Sequence, residues 1–461
     1  MRELARQGAR KVLAECLKLN NGDVLALFWD ETTAAPAQLL LDVARELKLE
    51  VRERKVSLEE QALFATTRDI SFEDRDAIDS ARAILTCISS HVEGTAYRLE
   101  LLKIGTTAGK RFGHVPGANL SVLAHATNID YEHASSRCDD LALALTIGQM
   151  VRLQTYILDE KGQRADVEPF NLDFEIGGLI RSPITSTGII PLGTWGNLPG
   201  GETFISPVED TAEGTFVLNG AFKNFVIKPP AYLLLHFERG RLRRVEGTEE
   251  ERAAFEKILD FARNHGDVFY DALAELGIGV NTGIKELTGN ALFDEKCYGT
   301  AHIAIGDGSR FGGRYSSRIH EDLVSRQPSL WVDNKPILLH GEDAFQASEW
   351  RESLHDILPI LQPVGSDFLV TRTSINAEKD NGRLRVRREV SSGRLCFYTV
   401  GEPKTSEILA QLYSLIPRLP HEVTLSALYK KAEAELGLSQ DSTIAALSIL
   451  QRHGVVNLRD V

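Results

Sequence analysis

Positive charge is in short supply in this sequence. Over 461 residues, 52 Lys and Arg face 65 Asp and Glu, a formal charge of −13. Nucleic acids and anionic membrane surfaces are gripped by clustered Lys and Arg that neutralise phosphate, so neither is an expected partner. Cysteine is also scarce: Cys16, Cys87, Cys138, Cys297 and Cys396 lie far apart, are odd in number and form no C-x-x-C pair. That spacing excludes a structural zinc knuckle, and a reduced, cytoplasmic setting is the simplest expectation. Long apolar runs are missing too, and none approaches the roughly 18 residues of a membrane span. Residues 1–19 mix Arg, Lys and Glu with apolar residues at helical spacing, so they read as an amphipathic helix and neither as signal peptide nor as anchor. Finally, the turn after Phe28 reads WDETTAAP, which lacks both the dinucleotide and the Walker glycine patterns, and no repeat or low-complexity tract interrupts the chain.

What is present describes a globular protein with two or three cores: 43% hydrophobic and 25% charged residues, 37 Gly and 16 Pro. Apolar runs at 22–28 and 82–88 each precede a helix-patterned segment, and a long helix fits 131–148 before the strand-like VRLQTYI. Alternating strands and helices predict a mostly parallel, doubly wound sheet. From about residue 156 the texture changes to short strands and Gly/Pro turns, including a hairpin around Gly240, with one strong helical segment over 249–276. From Leu384 a hairpin, three short helical stretches (406–417, 425–436 and 442–453) and a last strand follow. The predicted class is α/β: a doubly wound N-terminal domain (1–155), an α+β metal-binding domain (156–383) and a small winged-helix-like C-terminal module (384–461). Residues 403–461 carry six basic and six acidic side chains, so the last module has no electrostatic footprint for DNA.

The chemistry concentrates in the middle region. Glu202 lies in NLPGGETFISP, Glu275 in LAELGIGVN, His302 in GTAHIAIG, and His320 with Asp322 in SSRIHEDLV. His320 and Asp322 are two apart, so on a strand both side chains point to one face, as two ligands of one metal must. All five sit in apolar or Gly-rich surroundings, where an ionised carboxylate is costly to bury unless something positive lies beside it. Three carboxylates and two imidazoles suffice for two divalent ions if one carboxylate bridges, an arrangement suited to hydrolysis.

These segments, in their order and rough separations, resemble the metallo-aminopeptidases typified by aminopeptidase T and aminopeptidase S over about residues 1–380. The resemblance implies that Glu202, Glu275, His302, His320 and Asp322 hold two ions, zinc, cobalt or manganese. Glu275 would bridge them or handle the proton of the attacking water, Asp294, Glu295 and Cys297 would orient His302, and the protein would be a homodimer removing N-terminal residues from peptides. Two departures stand out. The family's Tyr after the first His is replaced near that place by Phe311, leaving Tyr315 as the nearest phenol, and the loop carries Arg310, Arg314 and Arg318, guanidinium groups able to bind a substrate carboxylate. The same segments also resemble a ring-cleaving 2,5-dihydroxypyridine dioxygenase, in which a single Fe(II) would sit on His302, His320 and Asp322. The C-terminal module loosely resembles elements that bind leader peptides in ribosomal peptide biosynthesis, which implies precursor-peptide binding and a tailoring role.

Overall fold

The computed structural model describes residues 1–89, 92–115, 117–176, 181, 183–309, 312–346 and 350, and further on 368–372, 377–380, 383–390, 394–399, 411–416, 423–438, 443, 446–447, 450 and 456–460. The chain forms two compact units. One comprises Met1–Ser135, Ser186–Glu202 and Gly279–Tyr298; the other comprises Ser136–Thr185, Thr203–Ile278 and Gly299–Val461.

In the first unit, β1 (Val24–Trp29), β2 (Glu50–Lys55), β3 (Ala83–Cys87), β4 (Arg111–His114) and β5 (Trp195–Asn197) form a sheet in the order β2-β1-β3-β4-β5, each neighbouring pair parallel. Alternate residues of the central strands face two separate cores. Leu25, Leu27 and Leu85 pack with α1 (Arg2–Lys11) and α2 (Ala34–Glu46), while Ala26, Phe28 and Ile84 pack with Phe64, Ile78 and Leu101. A sheet covered on both faces is the doubly wound arrangement that the strand and helix alternation predicts.

The second unit holds two sheets. An eight-stranded one is antiparallel throughout and contains the hairpin Leu233–Glu238 and Arg241–Gly247. The hairpin turns at Arg239 and Gly240, both at positive φ (48° and 70°), as a two-residue turn matched to strand twist requires. The seven-stranded sheet places β6 (Glu202–Ile205), β7 (Leu273–Gly279), β8 (Thr300–Gly306) and β9 (His320–Arg326) side by side in the order β9-β8-β7-β6. Here the helix expected over 249–276 is corrected. Helix α3 (Glu249–Asn264) stops at Asn264, Gly266 takes φ +69°, and LAELGIG continues as the strand β7, buried on both faces. A glycine in the left-handed region ends the helix, and burial on both faces gives a strand an apolar run indistinguishable by period from a helix.

In the C-terminal part, Arg383–Val390 and Arg394–Thr399 pair as the expected hairpin, and a helix runs Leu425–Leu436, capped by the Thr424 hydroxyl and ended by Gly437 at φ +66°. Strand Phe368–Arg372 lies between Val423–Thr424 and Val456–Asp460. Of the helical stretch expected over 406–417 only 411–416 are described, and most of 442–453, with Arg310 and Phe311, lies outside the described residues. Among the described residues, no helix is long and apolar enough to cross a membrane.

Candidate metal centre

Strand pairing builds the site. Glu275 stands opposite Ala304, which stands opposite Asp322; Gly277 stands opposite His302; Gly306 stands opposite His320. Direct cross-strand partners share a face of the sheet, so Glu275, His302, His320 and Asp322 rise from one face of three adjacent strands. Three neighbouring positions on this face, Gly277, Ala304 and Gly306, are small. A β-carbon at Gly277 would lie 2.1 Å from Cε1 and Nε2 of His302, so the imidazole occupies the space that glycine leaves. On the opposite face, Leu276, Ile278, Ile303, Ile305 and Leu323 are fully buried and anchor the strands.

Glu275 lies beside both imidazoles, and His320 beside Asp322. Glu275 Oε1 is 3.2 Å from His302 Nε2 and its Oε2 is 3.4 Å from His320 Nε2, while His320 Nε2 is 3.3 Å from Asp322 Oδ1. Donor atoms of Glu275, His320 and Asp322 all lie within 4.8 Å of one another. The other ring nitrogen of His320, Nδ1, is 2.9 Å from the Asp307 main-chain carbonyl. A carbonyl only accepts, so Nδ1 carries a proton, and Nε2, which faces the carboxylates, is the nitrogen that would bind a metal after giving up its own proton. Burial alone would raise the pKa of Glu275, but hydrogen bonds from His302 and His320 hold it below the ordinary glutamate range. Burial would likewise lower that of His320, yet Asp322 and Glu275 push it well above the usual imidazole value. The site as it stands is a set of negative charge stabilised by positive charge. On the far face of the same strand, burial raises Glu321 to about 7, although its carboxylate accepts the Lys223 N–H at 2.6 Å.

Glu202, the fifth expected ligand, belongs to the first unit. The turn before it packs too tightly for side chains: a β-carbon on Gly200 would lie 2.1 Å from the Gly188 nitrogen, and Gly201, at φ +115°, faces Asn281. The buried Glu202 carboxylate is 2.7 Å from the ammonium of Lys296, which also contacts Glu295. Lys296 is 0% exposed, and although burial opposes its charge, Glu202 and Glu295 drive its pKa up. Sequence reading missed this lysine, although it stands beside Glu295 inside the segment FDEKCYG; a buried ammonium has no spacing signature. Of the residues expected to orient His302, Asp294 accepts the Thr288 and Gly289 N–H groups, Glu295 contacts Lys296, and the Cys297 thiol points to the Ile284 carbonyl at 3.3 Å.

The loop between β8 and β9 is fastened by carboxylates. Glu209 accepts from the Arg314 backbone N–H and side chain and from the buried Arg181; the Tyr315 hydroxyl donates to Asp210 at 2.7 Å, and its ring stacks on Phe269 at 4.1 Å. Asp267 accepts from the Ser317 hydroxyl and the Arg318 N–H, both at 2.6 Å. The Arg314 guanidinium and the Tyr315 phenol are thus engaged within the loop's own anchorage, and Arg181 and Glu209 are partners that the sequence did not reveal.

No family model matches the chain. It is 25% identical over 163 residues to the 2,5-dihydroxypyridine 5,6-dioxygenase of Pseudomonas putida, a match covering 32% of this chain and 45% of that relative, less than half its length. Among solved structures, the 2,5-dihydroxypyridine dioxygenase from Pseudomonas putida KT2440 superposes with a TM-score of 0.55 at 17% identity, covering 76% of this chain and 99% of that one. Wild-type AmpT from Thermus thermophilus gives 0.49 at 15% identity, covering 74% and 99%. The likeness to the dioxygenase structure establishes a shared mixed α/β fold.

Proposed function

We propose that this chain is a metalloenzyme with one divalent ion held by His302, His320 and Asp322, with Glu275 beside them, and that it is an oxygenase opening a dihydroxylated heteroaromatic ring. The observation that carries the reading is the convergence of two imidazoles and two carboxylates on one face of three adjacent strands. The donor set fits: buried acidic oxygens next to imidazole nitrogens, with His320 fixed in the ligating tautomer by Asp307. A ferrous ion there would supply the redox chemistry by which dioxygen reacts with an electron-rich ring. Glu275, held ionised by two imidazoles, is placed to accept a proton from a ring hydroxyl. The sequence similarity to a dihydroxypyridine dioxygenase supports this choice of substrate class.

A dinuclear aminopeptidase using Glu202 as well is the second reading, favoured by the burial of Glu202. We place it second because the Glu202 carboxylate is already matched by Lys296. Metal analysis of the purified chain with paired assays decides between them. One iron per chain with oxygen consumption on dihydroxypyridines supports the first reading; two zinc, cobalt or manganese ions with hydrolysis of aminoacyl anilides establishes the second and overturns the first.

A further inference from the structure

Glu202 and Glu295 present carboxylate oxygens within 4.8 Å of each other, and both residues are buried. Two such anions are not stable together without a cation. The structure supplies one, the Lys296 ammonium, with its side chain only 1% exposed, 2.7 Å from Glu202 and in contact with Glu295. The main chain that carries the lysine is held in place: its backbone N–H donates to the Phe293 carbonyl, and its backbone carbonyl accepts the Asn281 N–H. A monovalent ammonium on a fixed backbone and a divalent ion are alternative occupants of the same pair of oxygens.

We propose that Lys296 is a tethered cation that excludes a divalent metal from Glu202 and Glu295 and so limits the chain to one ion. This deepens the mononuclear reading above, on which it rests. Lys296 acts as a specificity-determining residue: it sets metal stoichiometry through charge that the chain itself carries. Removing the ammonium while keeping both carboxylates leaves an anionic pair that takes up a hard divalent ion by its oxygens.

The test is a count of ions. Full-length wild type, Lys296→Gln and Lys296→Arg are titrated with Mn2+ and assayed by elemental analysis and by the spin-resonance signal of bound manganese. The expected result is one more ion per chain in Lys296→Gln than in wild type, and no gain in Lys296→Arg, which retains the positive charge. Equal counts in wild type and a folded Lys296→Gln overturn the inference, as does a gain in Lys296→Arg. If Lys296→Gln does not fold without metal, its refolding in Mn2+ but not in chelator supports the inference, and failure to refold in either overturns it. The wild-type count alone tests the metal centre: with His320→Ala added, that count should fall by one, while the gain on Lys296→Gln should persist. The two ideas therefore fail separately, one in the absolute number and the other in the difference.

Discussion

At the scale of single residues, glycine and alanine shape the site as much as the ligands do. Gly277, Ala304 and Gly306 interleave with Glu275, His302, His320 and Asp322 on one face; a β-carbon on Gly277 would meet the His302 imidazole, and one on Gly306 would lie 2.2 Å from the Ile319 carbonyl oxygen. Gly277→Ala is the sharpest case, since its new methyl would overlap the His302 ring. Overpacking of this kind costs about 1–3 kcal/mol. If the ring swings away, metal affinity should fall by about 10–100-fold, the range for a misdirected ligand. Isothermal titration with Mn2+ measures the loss, and an unchanged affinity would show that His302 is not a ligand. The ligand candidates themselves were legible because carboxylates and imidazoles in apolar, Gly-rich surroundings demand compensation. Lys296 was not legible, because its counter-charges come from the adjacent Glu295 and from Glu202, far away in sequence.

Elements were readable where an apolar run followed a turn signal or a turn residue marked their ends. The strands at Val24–Trp29 and Ala83–Cys87 and the hairpin at Gly240 fall where apolar runs and a positive-φ turn place them. Strand β2, EVRERK, has no such pattern, because it is an edge strand whose charged side chains discourage pairing with another sheet. The loop between β8 and β9 carries a prediction at this scale. Burial alone would raise the Glu209 carboxyl, but the Arg314 amide and the Arg181 charge hold it below the ordinary range; Asp267 is held down likewise by the Ser317 hydroxyl and the Arg318 amide. Carboxylates with depressed folded-state values stabilise fully above their unfolded values, about pH 4, and lose that contribution as pH falls further. The loop should therefore loosen below about pH 4, seen as faster amide exchange at Arg314–Arg318 than in β8, and Glu209→Gln should show that faster exchange at neutral pH. Exchange in the variant that matches wild type at neutral pH would remove Glu209 as the anchor.

For the molecule as a whole, alternation of strands and helices announced a doubly wound sheet, and change of texture near residue 156 announced a second architecture. What sequence order concealed is that the first unit gathers three separated stretches, because they are joined by pairs remote in sequence such as Phe112 with Trp195. A bound ion should stabilise the fold that contains its ligands. At a free concentration of 100 times the dissociation constant the gain is about 2.7 kcal/mol, or roughly 5–10 °C in melting temperature. Calorimetry of the metal-free protein with and without added Fe2+ under anaerobic conditions measures it, and His320→Ala should abolish the shift. A shift that survives in His320→Ala would place the ion elsewhere.

The sheet of that first unit has a further consequence in the cell. Its last strand, β5, comes from residues 195–197, and Gly279–Tyr298 complete the unit. At a synthesis rate of about 5–20 residues per second, a ribosome that has made Ser135 needs roughly ten to thirty seconds more before Tyr298 emerges. For roughly the first three to twelve of those seconds, until β5 is made, β4 has a bare edge, and the nascent chain is open to chaperones that shield unpaired strands.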